Sequence, residues 1–345
     1  MTVSATNDPA KAAPRSAEKR AIIALKFGVT ALCFWYLSRQ VDISDVSQSL
    51  ALLDFRWVAL TVMTVVLQIP LVALRWLAIL NALAAGDQPL TKRRITVITA
   101  IGLFFAQVLP NVAGEGIRAW YLVRFGSDWR NAITSVLIDR GVGVGAMITL
   151  AFLILLLSPG SSDLGGYRGT ALMLYAGVLL SGTAVLALLP ALLPLLNRVR
   201  YLHWVVQFAA DARRVLLGRK IPLILALAFL IHALTIFIIW SLARAQGLML
   251  PLSDVALLFV VMLGVALVPA SINGWGLREI AVVGLLGRYG VPPEQALVFS
   301  VCFGLTLAIG SLPGAILWLL YPVAPGNTLS SANDRSQPYR SSTRR

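Results

Sequence analysis

Leu109-Pro110-Asn111-Val112-Ala113-Gly114-Glu115-Gly116-Ile117-Arg118 breaks an apolar run that is too short to cross a bilayer. A second stretch, Val268-Pro269-Ala270-Ser271-Ile272-Asn273-Gly274-Trp275-Gly276-Leu277-Arg278-Glu279, repeats the design. In each, a hydrophobic segment stops at a proline and a glycine-containing turn follows. An arginine with a carboxylate close by comes next, then a second short apolar limb closed by Arg124-Phe125-Gly126 or Arg288-Tyr289-Gly290. Proline and glycine interrupt a helix, so backbone groups and charges are left at membrane depth. That is tolerated only inside protein or beside a wet cavity. These two stretches are the expected working site, with Pro110, Gly114, Pro269, Gly274 and Gly276 as hairpin-turn residues.

Composition sets the surroundings. The chain has 345 residues, 58% hydrophobic and 13% charged, with mean hydropathy +0.81. Soluble domains carry roughly 25% charged residues, so the expected class is an all-α polytopic membrane protein. The net charge of +14 lies in tails and alternate loops. Orientation in a membrane explains that placement better than a nucleic-acid groove does. Cys33 and Cys302 both lie in apolar segments and read as packing residues, with no disulfide framework or metal motif.

Full-length spans need roughly 20 apolar residues. Six qualify: Ala21–Leu37, Trp57–Leu80, Ile133–Leu157, Thr170–Leu196, Ile221–Leu242 and Glu294–Leu320. The first ends in Phe34-Trp35-Tyr36-Leu37 rather than a small-residue cleavage site, so it reads as an uncleaved membrane helix. The shorter runs Ile95–Leu109 and Val255–Val268 cover only about 21–23 Å at 1.5 Å per residue, against a hydrocarbon core about 30 Å thick. They read as half-helices.

Loop charge arbitrates between crossing and returning. If each short run turns at its proline and returns, the basic loops alternate. The N-terminus, Lys92-Arg93-Arg94, Arg124, Arg130, the loop from Arg198 to Lys220 and the C-terminal Arg335, Arg340, Arg344 and Arg345 then share the cytoplasmic side. If the first run crossed instead, the Arg198–Lys220 loop would face outward, against the positive-inside rule. The expectation is therefore six full spans plus two opposed re-entrant helical hairpins, eight apolar elements arranged as an inverted repeat. The hairpins fall at about 95–125 and 255–288 within a membrane domain spanning 21–321. A basic cytoplasmic tail (1–20) and a disordered one (322–345) flank it. A cytoplasmic interfacial helix is expected at about 201–217, with Tyr201, Val205, Phe208, Ala212 and Val215 on one apolar face.

Ionisable groups at membrane depth are costly and are functional hypotheses by default. Arg75, Glu115, Arg118, Asp139, Arg140, Asn273, Arg278 and Glu279 are the candidate substrate-binding residues. Glu115 and Arg118, at i,i+3, share a helix face. Arg278 and Glu279 are sequence neighbours and are expected to point apart, each toward a different partner. Asp139 needs an arginine, and Arg118 and Arg278 are the candidates. Arginine forks suit phosphate oxygens, and half-helix N-termini add positive dipole ends. Two tips meeting between helices would leave a polar slot open sideways to lipid. The competing reading is that the same ion pairs only lock the hairpins together.

Pro110-x-x-x-Gly114-Glu115-x-x-Arg118, then Asp139-Arg140, then Pro269-x-Ser271-x-Asn273-Gly274-x-Gly276-x-Arg278-Glu279, resembles the lysylphosphatidylglycerol synthase transmembrane region family and its stand-alone flippase-like relatives. Arg75-Trp76 fits too, and the resemblance covers about Ala21 to Tyr321. It implies a bacterial or archaeal cytoplasmic-membrane protein, both termini cytoplasmic, that translocates lipids with polar headgroups. Aminoacylated or other phospholipids, hopanoid-type lipids and lipid-linked glycans are its alternative substrates. The soluble synthase domain of the two-domain members is expected to be absent, so a separate lipid-modifying enzyme is a candidate partner; nucleic acid is not. No cofactor, metal or catalytic residue is expected. The only histidines are His203 and His232, and there is no H-E-x-x-H, G-x-S-x-G or P-loop. A membrane-embedded transferase using Glu115 or Asp139 as base and a small-solute carrier are the rival functions.

Overall fold

The computed structural model describes residues 35, 48–51, 53–83, 91–109, 111–157, 168–196, 203–267 and 274–320. Apart from the short helical piece at 48–51, ten helices carry the fold among them: α1 Phe55–Leu83, α2 Lys92–Val108, α3 Asn111–Arg124, α4 Trp129–Leu157, α5 Arg168–Leu196, α6 His203–Leu216, α7 Ile221–Ala245, α8 Leu252–Leu267, α9 Leu277–Gly287 and α10 Pro293–Leu320. Five of these, α1, α4, α5, α7 and α10, include stretches long and apolar enough to cross a membrane. They match five of the six expected spans to within a few residues. The sixth, Ala21–Leu37, lies outside the described residues except for Trp35, as do the two tails.

The central pair is α1 and α7, packed antiparallel. Trp57 meets Trp240 edge to face at 5.5 Å. Eleven residues further along α1, the Gln68 amide donates to Ile231 O and Thr235 Oγ1, both at 3.0 Å. Because the register runs in opposite directions, the end of α7 lies at the start of α1, where Asp54 N donates to Ala245 O at 2.9 Å. α4 also runs antiparallel to α1, since Trp76 bonds Ser135 while Val65 and Met147 share one apolar cluster. The chain therefore leaves α1 and begins α4 at one end of the molecule. What lies between, α2 and α3, must return to where it started.

It does so as a helical hairpin. The Arg94 guanidinium near the start of α2 lies 5.6 Å from the Phe125 ring just past α3. α2 opens with a Thr91 side-chain cap on Arg94 N and ends at Leu109 in extended conformation, the geometry that a residue ahead of proline prefers. α8 and α9 form the second hairpin: the Tyr289 hydroxyl after α9 donates to Asp254 in the first turn of α8. Gln295 near the start of α10 donates to Gln246 O at the end of α7. The second hairpin thus also begins and ends at one end, and that end is opposite the first because α1 and α7 are antiparallel.

α10 joins the two hairpins through bare backbone. A Cβ on Gly304 would meet Arg278 and Trp275 of the second hairpin at 2.6 Å. One on Gly310 would meet Val65 of α1, and one on Gly314 would meet the Ala100 carbonyl of α2. Removing side chains at three crossings lets helices approach closely, as small residues do between membrane helices.

One local expectation is corrected. Gly114 is not a turn residue; it sits in the first turn of α3, where a Cβ would lie 2.6 Å from Gly102 O and 2.7 Å from Ala106 Cβ. Its role is to let α3 lie against α2; Pro110, expected at the bend, is outside the described residues. In α6, Val206 rather than Val205 is buried together with Val215. The expected apolar face is otherwise present: Phe208 and Ala212 pack with Val215 in one apolar cluster, and Val206, on the other side of the helix, is buried as well. Tyr201 and the turn residue Pro269 also fall outside the described residues. Gly274 and Gly276 do turn the chain into α9, at φ 79° and 86°, values that favour glycine.

Candidate functional site

The first hairpin brings five charged side chains into one network. Asp139, about 15 Å along α4 at 1.5 Å per residue, is 1% exposed and accepts from two arginines. Arg75 Nε reaches its Oδ1 at 2.8 Å and an Arg118 Nη reaches its Oδ2 at 3.0 Å. The other Arg118 Nη donates to Glu115 Oε2 at 2.9 Å, and Arg140 donates to Glu115 Oε1. One helix turn separates Glu115 from Arg118, which is why they share a face. Asp139 and Arg140 point apart along α4 and serve different partners.

Packing fixes the arginines. The Arg118 guanidinium lies 4.2 Å from the Trp76 ring centre, a cation–π contact contributing about 2 kcal/mol when desolvated. Trp76 is itself fully buried and donates its indole N–H to Ser135 Oγ at 3.2 Å. The Arg118 stem runs over Gly102, where any Cβ would collide with it. Among the described residues, Arg118 Nε has no hydrogen-bond partner although it is buried. Three guanidiniums against two carboxylates leave the network with one excess positive charge. Arg140 keeps the network in touch with the outside, its side chain 44% exposed.

The second hairpin is built differently. Arg278 and Glu279, expected to point apart, pair with each other at 2.7 Å, and both meet Ser300 of α10, at 3.3 and 3.0 Å. Glu279 is the third residue of α9, and its other oxygen accepts from Gly276 N at 2.5 Å. Capping bends the carboxylate back toward the helix start, and the long Arg278 side chain follows it. Arg278 also lies 4.7 Å from the Trp275 ring centre. Asn273 falls outside the described residues. Arg278 and Asp139, proposed from sequence as partners, belong to separate clusters among the described residues; Arg118 is the partner that formed, with Arg75 beside it.

A thread of contacts runs from the second hairpin to the first. Phe259 of α8 meets the His232 ring at 5.4 Å, and His232 Nε2 lies 2.9 Å from Gly143 O. A Cβ on Gly143 would sit 3.5 Å from Arg75. His232 is thus a hydrogen-bonded packing residue between the two halves. Sequence reasoning missed Gly102, Ser135 and Ser300 as site residues. A glycine or serine inside an apolar run was their only signal, and it is shared with ordinary helix packing.

A bundle of long apolar helices with two helical hairpins and a buried ion network defines a multi-pass α-helical membrane protein. The chain belongs to the lysylphosphatidylglycerol synthase TM region family, whose profile matches residues 23–314. No curated protein and no solved structure matches it.

Proposed function

We propose that this chain is a lipid translocase that moves a polar-headgroup lipid across the membrane through a polar slot between two re-entrant hairpins. The observation that carries this reading is the network of Arg75, Glu115, Arg118, Asp139 and Arg140, buried except at Arg140, with its one excess positive charge. An uncompensated cation at membrane depth is costly, and an anionic headgroup supplies the missing charge. Phosphate oxygens suit the arginine fork, and the tails stay in lipid. The hairpins enter from opposite sides, and Arg278 and Glu279 supply the charged pair of the second one. Positive-inside charge puts both termini and α6 on the cytoplasmic side of a bacterial or archaeal cytoplasmic membrane. Aminoacylated or other phospholipids are the favoured cargo, ahead of hopanoid-type lipids and lipid-linked glycans, because the network is arginine-rich. The chain acts here as a transporter and not as an enzyme.

Reconstitution tests this. Proteoliposomes holding a headgroup-labelled phosphatidylglycerol should show protein-dependent exposure of the label to a membrane-impermeant quencher. Arg118→Gln in folded protein should abolish it. Protein that leaves the exposure of every labelled lipid class at the protein-free rate would overturn the proposal.

A further inference from the structure

Away from the ion network, α5 and α6 enclose an open apolar groove of about 580 Å³. Val178, Ser181, Val185 and Leu189 line one wall; Phe208 and Ala212 are among the residues of the other. Each wall extends over twelve residues, about 16 Å of helix from first to last at 1.5 Å per residue. Ser181 already satisfies its hydroxyl on Val178 O at 2.9 Å, so the groove has no polar demand of its own. Of the described α5 side chains, only Leu189 is buried.

The rim is charged. Arg213 follows Ala212 in α6 and lies one turn from both Ala209 and Leu216, which line the groove, so helical spacing sets it along the groove edge. Among the described residues, its Nε is buried without a hydrogen-bond partner. Arg214 follows it, and Arg219 and Lys220 lie just beyond the helix. A guanidinium with an unused donor beside a dry slot asks for an acceptor attached to an apolar chain. Asp211 of α6 pairs with Arg130 at 3.0 Å, and among the described residues Arg213 makes no salt bridge.

We infer that this groove is a second lipid site, distinct from the transport slot. It holds one acyl chain of an anionic glycerophospholipid from the leaflet that α6 faces, with Arg213 binding the phosphate. The occupant is a glycerophospholipid because the groove demands a hydrocarbon chain and the rim demands an anion, and that class supplies both together. The lipid fills the space between a nearly naked span and the rest of the bundle. It therefore acts as a structural ligand whose presence follows membrane composition. The site stands whether or not the chain transports lipid.

Two variants attack the two halves of the claim. Arg213→Gln removes the charge. Gly182→Phe fills the groove; a Cβ at Gly182 meets nothing within 4 Å, so the α5 backbone accepts a side chain there. Delipidated wild-type protein is titrated with dioleoylphosphatidylglycerol or dioleoylphosphatidylcholine, and bound lipids are counted by native mass spectrometry. Both lipids offer Arg213 a phosphate, but the choline ammonium cancels its charge, so wild type should bind one phosphatidylglycerol tightly and phosphatidylcholine about tenfold less tightly. Arg213→Gln should erase the preference, and Gly182→Phe should remove the tight site for both lipids. Equal binding of the two lipids by wild type, or unchanged binding in whichever variant folds, would overturn the assignment.

Discussion

The stem of Arg118 occupies the space that a side chain at Gly102 would need: a Cβ there would lie 2.9 Å from Arg118 Cδ and closer still to Cγ. The buried charge is therefore held in place by an absence on the neighbouring helix. Gly102→Ala should push Arg118 off Asp139 and cost about 1–3 kcal/mol, the usual range for overpacking. Gly116→Ala, immediately after Arg118's carboxylate partner Glu115 and facing open space, should change little. Thermal unfolding in detergent and lipid movement in vesicles should both separate the two variants; equal behaviour would show that the close approach does not matter.

Asp139 is the hub that two guanidiniums share. Asp139→Asn leaves both facing each other without an anion, and breaking a buried pair in this way costs about 3–5 kcal/mol. A double-mutant cycle of Asp139→Asn with Arg118→Gln should give a coupling of about 0.5–3 kcal/mol. The same cycle with Arg278→Gln should give a value near zero, because Arg278 pairs with Glu279 and Ser300 instead. Strong coupling to Arg278 would unite clusters that the structure keeps apart.

Arg278→Lys keeps the charge but loses the fork, so one lysine cannot reproduce the contacts to Glu279 and Ser300. Stability should fall by about 2 kcal/mol, as expected when a buried charged group loses a partner. Ser300→Ala should produce a similar, smaller fall. If unfolding temperatures of both variants match the wild type, the clip contributes nothing to the second hairpin.

Topology offers a prediction independent of any energy. Ser127, between α3 and α4, and Gly290, between α9 and α10, lie at opposite ends of the α1–α7 pair. In a background with Cys33 and Cys302 replaced, single cysteines at these positions should label from opposite sides of the membrane, Ser127 from the cytoplasm. Labelling of both from one side would rule out opposed hairpins.

The spans were readable because a bilayer demands long uninterrupted apolar runs, and α1, α4, α5, α7 and α10 have them. The hairpin limbs could be read from length and proline alone. Pairing across the bundle was harder. Arg118 was a candidate for Asp139 because both lie near hairpin-one depth, but so was Arg278, and no sequence pattern encodes which of two equal depths lies on the same side of α10. Arg75 meets Asp139 across 64 residues of chain, in a register that depends on how α1 and α4 cross. Arg278 and Glu279 defied the rule that neighbours point apart. Glu279 caps its own helix, and a first-turn side chain that curls back obeys the cap rather than the helix face. Gly114 looked like a turn because glycine serves both bends and close contacts, and only the facing Gly102 distinguishes them.

The glycines of α10 have a consequence for how sequence can drift. Gly304, Gly310 and Gly314 each press against a different neighbour: the second hairpin, the central helix and the first hairpin. No side chain stands between these surfaces to absorb an error. A change at any of the three must be answered by a change in its own neighbour. Genetic screens starting from a damaged Gly314 should therefore recover compensating substitutions around Ala100 and Phe104, and those starting from Gly304 should recover them at Trp275. Each suppressor map would outline one face of a single rod running through the protein.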